Sequence, residues 1–133
     1  MTATVSSRWN GKEVKIKGKK VVDKSAFEIG LIVERQAKAL CPVDTGMLRG
    51  SYTTQSMTDG TEPEAPAKDK ISKPTDEGEV LVGTPVYYGP YVEFGTIRSS
   101  AQPHLRPSLD LAKGRALTIV ENNGRFEFRE YLR

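Results

Sequence analysis

A proline at the end of a helical repeat constrains this chain more than any other feature. From Val22 to Leu40, apolar residues recur at three- and four-residue spacing, at Val22, Ala26, Ile29, Val33, Ala37 and Leu40. That is one stripe of an amphipathic helix. Pro42 follows, and a residue before proline is pushed out of the αR region, so the helix must end near Cys41. Asp23 or Ser25 is placed to cap its start. Lys24 with Glu28 and Glu34 with Lys38 form opposite-charge pairs one turn apart. Gly30 costs about 1 kcal/mol relative to alanine in an exposed helix, which implies a close helix contact there.

The segment after the stop is Cys41-Pro42-Val43-Asp44-Thr45-Gly46-Met47-Leu48-Arg49-Gly50-Ser51. An Asp-Thr-Gly triplet is the signature of aspartic proteases, in which two chains of about this length each contribute one carboxylate and share a proton. Asp44 is the candidate catalytic residue on that reading. The context argues against it. A protease loop of this kind follows a β-strand, whereas here a helical pattern precedes it. Met47 stands where a small residue is expected, and no apolar strand ending in glycine lies near the C-terminus. The structural reading is a helix-to-strand corner. Asp44 accepts from the backbone of Thr45 and Gly46 in an Asx-turn, Gly46 takes φ > 0, Leu48 turns inward and Arg49 outward. Arg49 or Arg106 is available to pair with Glu93 or Asp44, and the residues leave that choice open.

Around this corner the remaining elements follow. Trp9-Asn10-Gly11-Lys12 carries the Asn-Gly signal of a type I′ hairpin. Val14 and Ile16 alternate with Lys15 and Lys17 as on a half-buried strand. The lysines between Lys12 and Lys24 invite a nucleic-acid reading, but lysine on a strand face also guards against edge pairing. Gly50–Met57 reads as a strand. Residues 58–78, with Pro63, Pro66 and Pro74 among acidic and lysine residues, read as a long acidic loop, mobile in a lone subunit. Glu79–Gly83 is a short strand. Three tyrosines and a phenylalanine then cluster between Val86 and Thr96, too aromatic for a loop and too broken for one strand. A second helix is expected over Ser108–Glu121, with Leu105, Leu109, Ala112, Ala116 and Ile119 or Val120 inward, closed by Asn122-Asn123-Gly124. Residues 125–133 alternate aromatic and charged, as in a last strand or an arm that pairs with another subunit. The expected fold is α+β: an antiparallel sheet with two helices packed on one face, an N-terminal hairpin and the long acidic loop.

The 133 residues make one domain by size. A single cysteine and a single histidine exclude a disulfide framework and argue against a zinc site, and no cofactor is implied. Cys41 with His104 as base is a conceivable nucleophile, but a lone cysteine near a helix end reads first as a small apolar residue. No apolar run approaches the roughly 18 residues of a membrane span. The N-terminus lacks a basic region followed by an apolar one, so synthesis in the cytoplasm is expected. Charge is polarised: residues 1–24 carry seven basic and two acidic side chains, and residues 55–80 carry three basic and seven acidic ones. Separation of this kind suits subunits that stack positive edge to negative edge.

Three blocks together resemble a known family. Ala39–Ser51, the pair Val82-Gly83 continued by Tyr88 through Tyr91-Val92-Glu93-Phe94-Gly95-Thr96, and Gln102-Pro103-His104-Leu105-Arg106-Pro107-Ser108-Leu109-Asp110 are similar, in order, to segments of the small neck or tail-completion proteins of long-tailed bacteriophages and prophages. The family-motif residues are Pro42, Asp44, Thr45, Gly46, Leu48, Arg49, Tyr91, Glu93, Phe94, Gly95, Thr96, Pro103, Arg106 and Pro107. Two positions depart from the pattern: His104 stands where an aromatic is usual, and Gly89-Pro90 where a small residue is typical. The resemblance implies a non-catalytic virion protein at the head–tail junction. It would be a homo-oligomeric ring, six-fold by expectation, joining the capsid-side connector to the tail tube with DNA passing through the lumen. A tail terminator or minor tail protein is the alternative within phage assembly. A DNA-binding accessory protein and the Asp44 protease dimer are the alternatives outside it.

Overall fold

A computed structural model describes Ala3 and residues 11–129. Six elements follow in order: α1 (Gly11–Leu40), α2 (Met47–Ser51), β1 (Thr53–Gln55), β2 (Leu81–Gly83), α3 (Gly89–Phe94) and α4 (Leu105–Glu127). The architecture is α+β. β1 and β2 pair antiparallel with Thr53 opposite Gly83, Thr54 opposite Val82 and Gln55 opposite Leu81. α1 lies on this two-stranded sheet, and α4 packs along α1.

The N-terminal half of α1 departs from expectation. Trp9 and Asn10 lie outside the described residues, but Gly11 onward is helical, so Val14 and Ile16 belong to a helix and not to a hairpin strand. Extending a helix that tertiary packing has already nucleated costs little per residue, and Lys and Glu are good helix formers. A hairpin strand would need a partner face that this small sheet does not provide. Asp23 and Ser25 therefore sit inside the helix, and Ser25 is buried against α4.

The buried stripe of α1 is Val21, Ser25, Gly30, Val33, Glu34 and Ala37. Val33 and Ala37 are as the periodicity requires. Val22 and Leu40 are about half exposed. The stripe is displaced because α1 serves two neighbours, the sheet and α4, on adjoining faces. Gly30 marks the first contact. A Cβ there would stand 2.7 Å from both Thr54 Cγ2 and Val80 Cγ1, so the close approach is to the strands and not to a helix. Asn123 marks the second: its Nδ2 donates to Ser25 Oγ at 3.1 Å and to Glu28 Oε2 at 3.2 Å. Leu105, at the other end of α4, packs on the core cluster that contains Ala37 and Cys41. The two helices therefore run antiparallel.

α4 is longer than expected at both ends. It starts at Leu105 and continues through Asn122-Asn123-Gly124 to Glu127. Asn123 is buried and bonded to α1, so side-chain pairing keeps a residue that ordinarily favours a cap within the helix. Arg125 to Glu127 are consequently helical and not a strand, and the last four residues of the expected arm lie outside the described residues.

Buried Glu34 joins α1 to the sheet and to the acidic loop. Its Oε2 accepts from Thr54 Oγ1 at 2.6 Å and from Thr61 Oγ1 at 2.8 Å, and its Oε1 accepts from Lys38 Nζ at 2.8 Å. Lys38 Nζ also donates to Glu64 Oε1 at 2.7 Å. The 58–78 segment has no helix and only one isolated bridge, Gln55 to Gly60. It is held by backbone bonds from Thr61 N to Thr54 O at 2.9 Å and from Glu64 N to Gly50 O at 2.8 Å. Ala67 and Pro74 are buried within it. Several of its charges are matched inside the subunit: Glu64 by Lys38, Glu77 by Lys19 and Glu62 by Lys70.

Candidate functional site

The 41–51 corner, the aromatic block and the start of α4 converge on one place. Ala37, Cys41, Leu48 and Tyr52 form the buried cluster, and Val86, Tyr88, Val92 and Leu105 close over it. All three sequence blocks thus contribute to a common core. Cys41 is 5% exposed, and burial pushes its thiol pKa up, which suits a small apolar residue and not a nucleophile.

Glu93 is the centre of the arrangement. It sits in the last turn of α3, 5% exposed. Its Oε2 accepts from the backbone N–H of His104 at 2.9 Å and of Leu105 at 3.0 Å. Its Oε1 accepts from Arg106 N at 3.0 Å and from Arg106 Nε at 3.3 Å. The unsatisfied donors at the start of α4 are therefore met by a carboxylate from another element, with favourable helix-dipole alignment. Burial alone would raise this carboxyl, but the three backbone N–H groups, aided by the His104 ring, outweigh it and hold the pKa at about 2. Arg106, left open between Glu93 and Asp44 by the sequence, pairs with Glu93. Its guanidinium also lies 4.5 Å from the centre of the Phe94 ring. Pro107 occupies the first turn of α4, where no backbone donor is needed.

His104 is fully buried. Its Nδ1 lies 2.9 Å from Gln102 O and 3.1 Å from Glu93 Oε2, both acceptors, so Nδ1 carries a hydrogen. In the neutral ring Nε2 then accepts from the Tyr52 hydroxyl at 2.5 Å, and the two rings meet edge to face with centroids 5.3 Å apart. Burial pushes the Tyr52 phenol well above its ordinary pKa, so it remains a donor. The Tyr52–His104–Glu93 chain has the order of a proton relay. With Tyr52 2% exposed and His104 at 0%, it has no face open to a substrate and serves as a structural clamp. Sequence reasoning singled out Glu93 but missed Tyr52 as its partner through His104. The lone histidine at an aromatic position of the block was the available signal.

The corner itself is a helix-to-helix turn, since α2 intervenes before β1. Gly46 has φ of 80°, as expected, and Leu48 is buried. The side-chain bond of the turn comes from Thr45, whose Oγ1 accepts from Met47 N at 3.3 Å, and not from Asp44. Asp44 and Arg49 are exposed, and Pro42 is half-buried. In the second block, Gly95 has φ of 78°, and a Cβ there would stand 2.7 Å from Ala101 N. Thr96 Oγ1 accepts from Arg98 N at 3.3 Å and Ser99 N at 3.1 Å, closing a tight turn. Tyr91, Phe94 and Pro103 are exposed.

Several large apolar side chains are exposed around this frame. Val43 and Met47 project from the corner, Tyr87 and Tyr91 from the aromatic block, and Ile97 stands fully exposed on the turn after α3. Pro42 to Leu48 line an open groove with Tyr88, Val92 and Gln102. Among the described residues no cluster of His, Cys, Asp and Glu is suited to hold a metal ion, and no helix is long and apolar enough to cross a membrane.

No curated protein and no solved structure matches the chain. Residues 10–95, well over half of it, match the model of the family described as "Bacteriophage HK97-gp10, putative tail-component". That range holds the corner, both strands and Glu93, and the Glu93 carboxylate carries the frame onward into α4. The chain belongs to the HK97-gp10-like family and is a phage tail-related structural component.

Proposed function

We propose that this protein acts without catalysis in the neck or tail-completion assembly of a long-tailed phage. Copies of the chain form a ring, six-fold by expectation, between the capsid-side connector and the tail tube, with DNA passing through the lumen. The protein is made in the host cytoplasm, resides in the virion and has no membrane partner. The observation that carries this reading is the exposed apolar group around the family blocks: Val43, Met47, Tyr87, Tyr91, Phe94 and Ile97. Exposed large apolar and aromatic side chains beside a rigid frame suit a subunit interface. Small domains gain buried area by closed assembly.

Native mass spectrometry and negative-stain microscopy test it. The purified chain, alone or mixed with the adjacent connector and tail proteins, is expected to form closed rings, and Tyr91→Asp with Ile97→Asp is expected to abolish them while leaving the far-ultraviolet circular dichroism intact. A chain that stays monomeric both alone and with those components overturns the proposal.

A further inference from the structure

We infer that the turn after α3 docks into the groove lined by residues 42–48 of a neighbouring copy, with Arg98 of one subunit meeting Asp44 of the next. This contact rests on the self-assembly proposed above and specifies its interface. Ile97 is the most exposed large apolar side chain among the described residues. Tyr87 and Phe94 nearby each lean on a group of their own subunit, the Tyr88 ring and the Arg106 guanidinium. Ile97 is fully exposed, yet its backbone is held firmly. Gly95 turns the chain at φ of 78°, Thr96 N donates to Ser99 O at 2.8 Å, and Thr96 Oγ1 accepts from Ser99 N at 3.1 Å. A β-branched side chain on a fixed turn has little conformational freedom left to lose on burial.

The groove offers the complementary surface. Val43, Met47, Leu48, Tyr88 and Val92 give it apolar walls. Leu48, Tyr88 and Val92 also belong to the core packing, so the groove exists before any partner arrives. The subunit's own turn does not fill it, since Ile97 is fully exposed. Charge sets the match. Asp44 is the only charged residue lining the groove, and Arg98 is the only charged residue from Gly95 to Pro103. Both are exposed, and neither forms an ion pair among the described residues. Arg49, the basic residue nearest to Asp44 in the chain, does not line the groove. An apolar side chain beside a cation therefore meets an apolar groove beside an anion, which fixes partner and register together. A second copy is the occupant because one chain carries both halves. Each subunit can give its turn to one neighbour and receive a turn from another, the head-to-tail pattern that closes into rings.

The test is a charge-reversal cycle read by sedimentation velocity of the full chain, in whichever condition assembles the wild type, alone or with the adjacent connector and tail proteins. Asp44→Arg and Arg98→Asp are each expected to weaken association at least about threefold. The double reversal keeps the wild-type net charge and is expected to recover most of that loss. Ile97→Ser should weaken association at least about tenfold. In addition, chains carrying Val43→Cys, mixed with chains carrying Ile97→Cys, should be joined by a short bismaleimide reagent in preference to either like pair. Cys41 is buried, and the unmodified chain serves as the blank. Circular dichroism confirms that each variant is folded. Losses from the two reversals that simply add, or assembled chains without the Val43–Ile97 cross-link, overturn this docking and leave the ring standing. A wild type that stays monomeric in both conditions overturns the ring and this contact with it.

Discussion

Glu93 Oε2 accepts a hydrogen bond from His104 N at 2.9 Å and stands 3.1 Å from His104 Nδ1, so one carboxylate both starts α4 and orients the buried ring at its first turn. Replacing Glu93 by Gln removes the charge and leaves the backbone donors with a weaker acceptor. Loss of roughly 2–4 kcal/mol is expected, read in urea as a lower midpoint at unchanged m-value. A loss under about 0.5 kcal/mol would show that α4 is held by its packing on α1 alone.

The same carboxyl makes stability depend on acid. Its pKa falls from the ordinary 4.5 to about 2 on folding. A group lowered on folding contributes stability that is complete above its unfolded value and is lost as the pH falls through the folded one. Between pH 4.5 and pH 2 the wild type should lose up to about 3 kcal/mol from this group, and Glu93→Gln should lose that much less over the same interval. Parallel acid profiles for the two proteins would sink the assignment.

Tyr52→Phe leaves buried His104 Nε2 without its donor and is expected to cost roughly 1–3 kcal/mol. His104→Phe orphans the Tyr52 hydroxyl and should cost a similar amount. The double variant removes both partners, so it should cost clearly less than the sum of the single ones. Additive costs in thermal or urea unfolding would mean that the 2.5 Å contact contributes nothing to stability.

Two glycines in α1 should respond in opposite directions to alanine. At Gly18 nothing lies within 4 Å of an added Cβ, so Gly18→Ala gains up to about 1 kcal/mol of helix propensity. At Gly30 the added atom would meet Thr54 and Val80 side chains at 2.7 Å, so Gly30→Ala should destabilise despite the same gain in propensity. Urea midpoints that move the same way would refute the close contact between α1 and the strands.

Much of the frame was legible before any coordinates. The helix stop at Pro42, the positive φ at Gly46, the inward Leu48, the short strand at Leu81–Gly83 and a helix after Pro103 all follow from local rules that act within a few residues. Glu34 and Lys38 pair as their spacing requires. The hairpin did not survive, because Asn-Gly and alternating lysines specify a turn and a strand only when a partner strand exists to pair with. The helical closure at Asn122 failed for a related reason, since Asn123 found a buried partner in Ser25, ninety-eight residues away.

The sequence by itself determined where α1 breaks, which residues turn the corner, the α+β class and the family blocks. Each is set by backbone sterics or by a pattern that local residues carry. Only the tertiary structure decided that Arg106 pairs with Glu93, that Tyr52 and His104 share a hydrogen bond, that Gly30 faces strands, and that Asn123 of α4 pairs with Ser25 of α1. Those pairings join residues far apart in the chain. Their energies depend on burial and on distances of a few ångströms, which no local pattern encodes.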